Sequence, residues 1–396
     1  MALTSIDHLS IAGKGVFVRV DFNVPLHKDG TVSDDTRIRE ALPTIRYALA
    51  QGAKVLLASH LGRPKGKVDP TFSLKPVAER LSVLLGMTVR LAPDCIGAAV
   101  QEQVAALAAG EVLVLENLRF HAEEEKNEPG FARALAALAE VYVNDAFGSS
   151  HRAHASVVGM VRYFTLKGIG FLMRKEIDTL SRLLANPERP FVAILGGAKV
   201  SDKIGLIRSL LSRTNTILIG GAMAYTAQKA QGIATGKSLV EPDKVEEVSA
   251  MLAEAARRGV TILLPQDHVV VAELKAGVPF AITSGREIPD EQLGVDIGPQ
   301  TIHAFASAIR PARTILWNGP MGVFEIPPFD RGTRAVAEAV AATNSFSVAG
   351  GGDTVAALTQ AGLAEQISHI STGGGASLEF LEAGDLPGLA ALRDEE

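Results

Sequence analysis

The segment FSVAGGGDTVAALTQ, residues 346–360, runs from a short aromatic and β-branched stretch through three consecutive glycines into a stretch rich in alanine. A strand, a glycine turn and a helix in that order form the repeating unit of parallel sheets. The same order recurs along the chain, where each apolar run is followed by a turn and a longer helical pattern. The predicted strands are residues 16–20, 55–58, 112–115, 141–143, 192–195, 216–219, 261–264, 314–317, 346–348 and 367–370. We therefore predict an α/β fold with parallel sheets.

The division into domains follows from the length of 396 residues, which exceeds what one ordinary core supports. Residues 171–184 have a helical pattern that ends before Pro187 and Pro190, because proline lacks the N–H that a helix needs. We place the domain junction there. The predicted parts are a first domain at 1–170, an interdomain helix and hinge at 171–189, a second domain at 190–380, and a C-terminal tail at 381–396 that packs back on the first domain.

Composition and charge exclude several classes of protein. With 47% hydrophobic and 21% charged residues, the chain is typical of a soluble globular protein, and its net charge of -5 argues against a general nucleic-acid binder. Cys95 is the only cysteine, which excludes an intrachain disulfide and a zinc site built from cysteines and suits a reducing cytoplasm. The N-terminus has no signal-peptide pattern and no stretch approaches about 18 apolar residues, so we expect neither secretion nor a membrane span.

Most polar and glycine-rich motifs follow the carboxyl ends of predicted strands, where open α/β sheets bind ligands. In the first half these are Asp21 and Asn23, His60 and Arg63, and Asn117 and Arg119; in the second half they are residues 196–197, 220–221, 318–319, 350–352 and 373–375. So many coincidences indicate a binding edge on each of two sheets.

The first half concentrates basic side chains near its strand ends, namely Arg37, His60, Arg63, Arg119 and Arg152. Several planar guanidinium groups on one edge suit a small, multiply charged anion, and Asp21 and Asn23 could bind a hydroxyl group on it. One alternative is that the arginines are solvated or paired with residues 123–125. A zinc site at His151 and His154 is a weaker alternative, because no third ligand is evident nearby.

The second half carries glycines where helices should begin, so that backbone N–H groups and the helix dipole can face a phosphate chain. In GGGDT, residues 350–354, Asp353 can hold magnesium and Thr354 can cap the helix or touch phosphate; GGGAS, residues 373–377, repeats the arrangement. Lys199 and Lys203 are four residues apart and share a face if their segment is helical. Glu325 could hold a ribose hydroxyl. Taken singly, these features have plainer alternatives: a tight turn, surface lysines and a solvent-facing glutamate.

Two common nucleotide-binding motifs are absent. GIATGKS, residues 232–238, imitates a Walker A loop, but it has three residues between its glycines where the motif needs four. The chain also has no complete GxGxxG. Nucleotide binding therefore requires another glycine geometry.

Eight motifs occur in order between Arg19 and Ala383: RVDFNVP, HLGRP, ENLRF, NDAFGSSHRAHAS, LGGAKVSDKI, WNGPMGVFE, GGGDT and STGGGASLEFLEA. As a set they resemble phosphoglycerate kinase over nearly the whole chain. The sequence departs from that family at residues 221–223, where many relatives have three glycines before the methionine, and around Gly294, where an aromatic residue is expected. The resemblance implies two Rossmann-like parallel-sheet domains of similar size that face each other across a cleft.

The resemblance also implies residue roles. The residues that would bind 3-phosphoglycerate are Asp21, Asn23, Arg37, His60, Leu61, Gly62, Arg63, Arg119 and Arg152. Those that would bind the nucleotide are Lys203, Gly294, Glu325, Gly350, Gly351, Gly352, Asp353 and Thr354, with Glu325 at the ribose and Asp353 at magnesium. Arg37, Lys199, Gly352 and Gly375 would steady the phosphoryl group in transfer, the two glycines through their N–H groups.

The implied reaction is reversible transfer of the γ-phosphoryl of ATP to the carboxylate of 3-phosphoglycerate, which gives 1,3-bisphosphoglycerate and ADP. Mg2+ would be the cofactor, and the protein would be a cytoplasmic monomer with no nucleic-acid or membrane partner. The carboxylate is ionised at neutral pH, so no general base is required. Two alternatives are another ATP-dependent kinase of a small carboxylate, which would not need the extra arginines, and a non-catalytic nucleotide sensor, which would lack Lys199 or Asp353.

Overall fold

The structure is a computed structural model that describes residues 3–393, and the chain divides into two compact units. The first unit contains the residues up to Asp178 together with the segment from Asp385 onward, and the second is Thr179–Gly384. The boundary falls inside the helix Phe171–Ala185. Within the described range, none of the helices combines the length and the apolar character that a membrane crossing requires.

The first unit is built on one six-stranded parallel sheet. Its strands are β1 (Gly15–Arg19), β2 (Lys54–Ala58), β3 (Arg90–Leu91), β4 (Val112–Val114), β5 (Val141–Asn144) and β6 (Leu166–Ile169), in the spatial order β3-β4-β2-β1-β5-β6. The four central strands are buried along nearly their whole length. Strands covered on both faces are apolar throughout, which explains why they were evident in the sequence.

Helices connect these strands. They are α1 (Thr36–Ala50), α2 (Lys75–Leu85), α3 (Ala98–Ala105), α4 (Ala122–Glu125), α5 (Pro129–Ala136) and α6 (Phe171–Ala185). The apolar face of α1 packs into the core, where Ile38 and Ile45 are fully buried. Gly86 caps the C-terminus of α2, and its φ of 69° places it in the left-handed region that glycine tolerates best.

The second unit contains a six-stranded parallel sheet and a small antiparallel one. The strands are β7 (Phe191–Leu195), β8 (Thr216–Ile219), β9 (Thr261–Leu263), β10 (His268–Val271), β11 (Ala281–Ile282), β12 (Leu293–Ile297), β13 (Thr314–Asn318), β14 (Phe346–Gly350) and β15 (His369–Ser371). The parallel sheet has the order β15-β14-β13-β7-β8-β9, and the antiparallel sheet has the order β11-β10-β12. Val269, Val271, Val295 and Phe329 form the core beside the antiparallel sheet.

The helices of the second unit are α7 (Ile204–Leu210), α8 (Met223–Lys229), α9 (Val245–Arg257), α10 (Pro299–Ile309), α11 (Arg331–Ala341), α12 (Gly352–Gln360) and α13 (Gly375–Ala383). A last short helix, α14 (Pro387–Ala390), lies in the first unit, where the N–H of Gly388 donates to the carbonyl of Ser150 over 2.9 Å.

The prediction of parallel α/β sheets is confirmed, and each predicted strand corresponds to an observed one within two residues at either end. Five strands were missed: β3, β6, β10, β11 and β12. Strand β3 has only two residues, and β6 contains Lys167 and Gly168, so neither forms an apolar run. The other three belong to the antiparallel sheet, which lacks the strand, turn and helix order on which the prediction relied.

Candidate active site

In the first unit, the predicted substrate-binding residues follow the carboxyl ends of neighbouring strands. Asp21 and Asn23 follow β1, residues 60–63 follow β2, Arg119 follows β4 and Arg152 follows β5. Parallel strands end at the same edge of a sheet, so residues distant in sequence meet there.

Asp21 and Asn23 join three segments of this edge. Arg37, in the first turn of α1, donates from Nη1 to Oδ2 of Asp21 over 2.6 Å. Asn23 Oδ1 accepts from the N–H of Gly62 at 2.9 Å. Burial would raise the pKa of Asp21, but the surrounding positive charges, with Arg37 the largest, lower it to about 2. Asp21 is therefore ionised at neutral pH.

His60 is held in one tautomer by Arg19, a residue that the sequence analysis did not select. Arg19 is only 1% exposed, and its Nη2 lies 3.3 Å from Nδ1 of His60. A guanidinium can only donate, so Nδ1 must accept and the ring proton must be on Nε2. Burial lowers the pKa of His60 well below its usual value, and neighbouring arginines act in the same direction. His60 therefore offers a neutral, fixed N–H donor.

Behind Arg19 lies a buried acid, Glu124, which the sequence analysis named only as a possible ion-pair partner. Ser156 links the two: its hydroxyl accepts from Nε of Arg19 at 2.9 Å and donates to Oε1 of Glu124 over 2.5 Å. Burial raises the pKa of Glu124, and Arg19 is the largest influence that opposes the increase. The sequence did contain a signal for this pair: an arginine in an otherwise apolar strand indicates a buried charge, and a buried charge needs a partner.

Positive charge is concentrated around Arg119, which is 5% exposed. Its Nη1 donates to the carbonyl of Gly62 over 2.9 Å. Its Nε lies 3.4 Å from Oε1 of Glu125 but makes no hydrogen bond, so the alternative of pairing with a nearby glutamate is only partly correct for Arg119. Burial lowers the pKa of Arg119 to about 10; Glu125 opposes this decrease, whereas Arg19 and Arg152 add to it. Such crowding of cations favours the binding of a small polyanion.

The remaining predicted residues of this edge differ in exposure. Leu61 is buried, and its N–H and C=O both bond to the side-chain amide of Asn117, at 3.3 Å and 2.7 Å. Arg63 has an exposed side chain. An open groove of about 750 Å³ beside α2 contains none of the predicted site residues.

The zinc pair considered for His151 and His154 gains no support. His151 Nε2 accepts from Nε of Arg152 at 3.2 Å, and His154 Nδ1 lies 3.9 Å from Oε1 of Glu124. Burial lowers the pKa of His154 to about 3, and Arg119 is the largest of the charges that add to this effect. The cluster of potential metal ligands found among residues 3–393 includes neither histidine.

In the second unit, two glycine-rich turns lead into helices, as predicted. Helix α12 begins at Gly352 after Gly351, whose φ is 94°, and α13 begins at Gly375 after another glycine of positive φ. A Cβ added at Gly352 would meet nothing within 4 Å, so a ligand can approach this helix N-terminus closely. Thr354 does not cap the helix; its Oγ1 accepts from the N–H of Gly319 at 2.7 Å.

Lys203 is buried against Asn318 at the end of β13. Its Nζ donates to both the backbone carbonyl of Asn318, at 3.0 Å, and the side-chain oxygen, while Nδ2 of Asn318 donates to the carbonyl of Gly350 over 2.8 Å. Burial lowers the pKa of Lys203 to about 8, and Asp202 and Asp353 oppose the decrease.

Lys199 and Lys203 would share a face only if their segment were helical, and it is not. Helix α7 begins only at Ile204, and the preceding segment is a turn in which Glu241 Oε2 accepts from the backbone N–H groups of residues 200–201 at 2.6 Å and 3.1 Å. These groups bond to a carboxylate instead of to helical carbonyls. As a result Lys199 is exposed, whereas Lys203 is buried.

A cavity of about 230 Å³ in the second unit is lined by three of the predicted nucleotide-binding residues, Gly294, Glu325 and Asp353. Tyr225 of α8 also lines it, and a Cβ on Gly294 would lie 2.1 Å from the Tyr225 hydroxyl. The aromatic residue expected near Gly294 therefore comes from a different element. Two more lining residues, Gly197 and Gly221, belong to glycine motifs predicted at the binding edge of the sheet. The lining residues that were not predicted individually are Ala198, Ala222, Val295, Pro320, Gly322 and Val323.

Together these features define a class of protein. The first unit presents clustered arginines and a fixed imidazole donor, which suit a small anionic acid. The second presents glycine-rich helix N-termini, a lysine and carboxylates beside a cavity, which suit a nucleotide. A kinase of a small molecule needs both kinds of site, one for the acceptor and one for the phosphoryl donor.

Comparisons with known proteins identify the family. The family model of phosphoglycerate kinase matches residues 6–384. Phosphoglycerate kinases of Koribacter versatilis and Moorella thermoacetica are 56% and 57% identical to this chain, and each alignment covers 100% of both proteins. The solved structure of phosphoglycerate kinase from Coxiella burnetii has a TM-score of 0.89 at 41% identity, covering 99% of this chain and 98% of that chain. The Pyrococcus horikoshii structure has a TM-score of 0.85 at 35% identity, covering 98% of each. The chain belongs to the phosphoglycerate kinase family.

Family membership specifies the reaction. The enzyme transfers a phosphoryl group between ATP and the carboxyl group of 3-phosphoglycerate, a step of glycolysis. The two alternatives considered from the sequence, a kinase of another carboxylate and a non-catalytic sensor, are therefore set aside.

Proposed function

We propose that the first unit binds 3-phosphoglycerate through the nine residues assigned from the sequence, and that the second unit binds ATP or ADP. The main support is the concentration of positive charge around Arg119, whose pKa is lowered in part by two other arginines. A bound phosphate and carboxylate would relieve that repulsion. Ionised Asp21 accepts from the substrate hydroxyl, and His60 donates through Nε2.

Phosphoryl transfer in this proposal needs no general base, because the attacking carboxylate is already ionised at neutral pH. A loose transition state requires in-line positioning and positive charge around the oxygens of the transferring group. Lys199 and Arg37 supply side-chain charge, and Gly352 and Gly375 supply backbone N–H groups at helix N-termini.

The residues of the second unit fit a magnesium ion, which we include as the cofactor. Asp353 lies in the first turn of α12 and lines the same cavity as Glu325. Magnesium is typically held by one or two carboxylates together with substrate phosphates and water, which a single aspartate beside a nucleotide cavity can satisfy. The bound ion would neutralise charge on the nucleotide phosphates.

The proposal includes closure of the two units during turnover, and a location and oligomeric state for the enzyme. Because different units bind the acid and the nucleotide, we expect the units to close during each turnover and to exclude water from the acyl phosphate. We expect a cytoplasmic monomer, and light scattering coupled to size-exclusion chromatography measures the mass directly.

A coupled assay of ATP-dependent phosphorylation tests substrate choice. We expect 3-phosphoglycerate to be used far better than glycerate or acetate, because only it carries a phosphate for the arginine cluster. Equal use of glycerate would remove the phosphate-binding role from these arginines while leaving the nucleotide site unaffected.

Replacing Glu325 by alanine is expected to weaken ADP binding by about tenfold, because a hydrogen bond to a charged group contributes about 1.5–3 kcal/mol. The affinity for 3-phosphoglycerate should remain nearly unchanged. Separate titrations with ADP and with the acid measure both. Glu365→Ala, an exposed glutamate of the same unit, is the matched control, and unaltered ADP affinity in Glu325→Ala would place Glu325 outside the site.

The lowered pKa of Lys203 predicts a pH dependence of nucleotide binding. Phosphates stabilise the ammonium form, so above the free-state pKa of about 8 binding must take up a proton, and the Kd for ADP should rise by up to about tenfold per pH unit. Below that pH this lysine contributes no slope. Calorimetric titration between about pH 7 and pH 9.5 measures this slope of the Kd with pH. The phosphates of ADP do not contribute to the slope in this range, because they are already ionised above a pKa of about 6.

Two variants isolate this effect. Lys203→Met is neutral at every pH and Lys203→Arg is charged throughout the range, so both should give flat profiles. A slope that persists in both variants would assign the titration to another group.

A further inference from the structure

A cluster of potential metal ligands lies in the first unit and shares no residue with those proposed to bind 3-phosphoglycerate. Among residues 3–393, one group of three such side chains was found: Asp94, Cys95 and His121, whose donor atoms all lie within 4.8 Å of one another. Asp94 and Cys95 follow β3, and His121 precedes α4. The fold thus brings together two segments that contribute a sulfur, a nitrogen and an oxygen.

Existing contacts already orient these donors. Oδ1 of Asp94 lies 2.7 Å from Nε2 of His121 and accepts from the backbone N–H of Cys95 at 2.6 Å. The Cys95 side chain is fully buried, whereas the side chains of Asp94 and His121 are 44% and 25% exposed. An ion can therefore enter from the side of the carboxylate and the imidazole, where water can occupy a fourth position.

The combination of donors specifies the class of ion. Thiolate and imidazole favour borderline or soft metals such as zinc, whereas magnesium and calcium require oxygen. Around tetrahedral zinc, neighbouring ligand atoms lie about 3.3–3.8 Å apart, given bonds of about 2.0–2.3 Å. The oxygen of Asp94 and the nitrogen of His121, now 2.7 Å apart, would separate by about 0.6 Å on binding the ion. The other donor pairs, which lie within 4.8 Å of each other, would shorten by at most about 1 Å.

We propose that Asp94, Cys95 and His121 form a binding site for Zn2+ or a similar divalent transition-metal ion, with water as the fourth ligand. When the metal–sulfur bond forms, the thiol proton leaves to solvent, and the imidazole proton moves to the nitrogen that does not bind the metal. A divalent ion, a thiolate, a carboxylate and a neutral imidazole then sum to zero charge. A neutral assembly is the least costly one to place in a partly buried position.

Cobalt(II) tests this site directly, because a thiolate bound to cobalt produces a near-ultraviolet charge-transfer band. Cys95 is the only cysteine, so the band cannot arise from cobalt bound at the nucleotide site or at any other oxygen or nitrogen ligands. The full chain, without a polyhistidine tag and freed of metal, is titrated with cobalt. We expect one equivalent to produce the band, equimolar zinc to abolish it, and a large excess of magnesium to leave it intact.

Three variants complete the experiment. Asp94→Asn and His121→Asn should each weaken cobalt binding by at least about tenfold, and Asp94→Asn changes a half-exposed group with little risk to folding. His303→Asn, an exposed histidine of the second unit, should bind like the parent. The proposal is overturned if the parent shows no band under a cobalt excess, if magnesium competes as well as zinc, or if Asp94→Asn binds cobalt with full affinity.

Discussion

Replacing Lys199 by alanine is expected to lower kcat by about 10²-fold or more, with only small changes in the KM for either substrate. A cation aimed at the transferring phosphoryl acts most strongly when charge redistributes in the transition state. Lys199 is exposed on a turn that Glu241 holds in place through backbone N–H groups, so its removal leaves the surrounding structure supported. Steady-state kinetics with each substrate varied in turn measure the effect.

Two other lysines make the result specific. Lys203→Ala should raise the KM for the nucleotide in addition to any effect on kcat, because Lys203 is proposed to contact phosphates of the bound ground state. Lys229 is an exposed lysine on α8, and Lys229→Ala should match the parent. Unfolding transitions must first show that all three variants are folded. If Lys199→Ala only raised the KM for ATP, Lys199 would stabilise the bound ground state and the transition state equally. The catalytic assignment would then be wrong.

Predicting the fold from the sequence worked where burial made a strand apolar on both faces. Strand β8, for example, lies between two parallel neighbours, and its observed bounds equal those predicted. Strand β10 was missed because no helix follows it: its partners are antiparallel and the next segment is a loop. A run of valines at residues 269–271 was visible, but its pairing depends on residues outside the run.

The sequence predicted which polar residues lie at the strand ends, but it did not reveal the residues that support them. Asp21 and His60 were predicted to lie at one edge of the sheet because parallel strands bring their ends there. The contact between Arg19 and Ser156 joins residues 137 positions apart, which no local pattern predicts. The turn at Lys199 was missed for a similar reason. The backbone N–H groups of this turn donate to Glu241, about 40 residues away, and a spacing rule for helices does not include such a distant acceptor.

Replacing Arg119 by alanine is expected to raise the KM for 3-phosphoglycerate by about 10²-fold and to leave the KM for ATP nearly unchanged, because charge-assisted bonds contribute about 1.5–3 kcal/mol each. The guanidinium is buried among other cations, and its Nε has no hydrogen-bond partner in this structure. An anionic substrate can supply one. Initial rates with each substrate varied at saturating levels of the other measure the two KM values.

Arg119→Lys separates charge from geometry, because lysine keeps the positive charge but lacks the planar fork that binds two oxygens. It should fall between alanine and the parent. Arg90→Ala, which removes a partly exposed arginine paired with Glu111, is the control and should change neither KM. Arg119 also donates to the carbonyl of Gly62, so if the alanine variant fails to fold, the lysine variant carries the test. Equal increases in both KM values, in variants that unfold like the parent, would show that Arg119 does not belong to the acid-binding site.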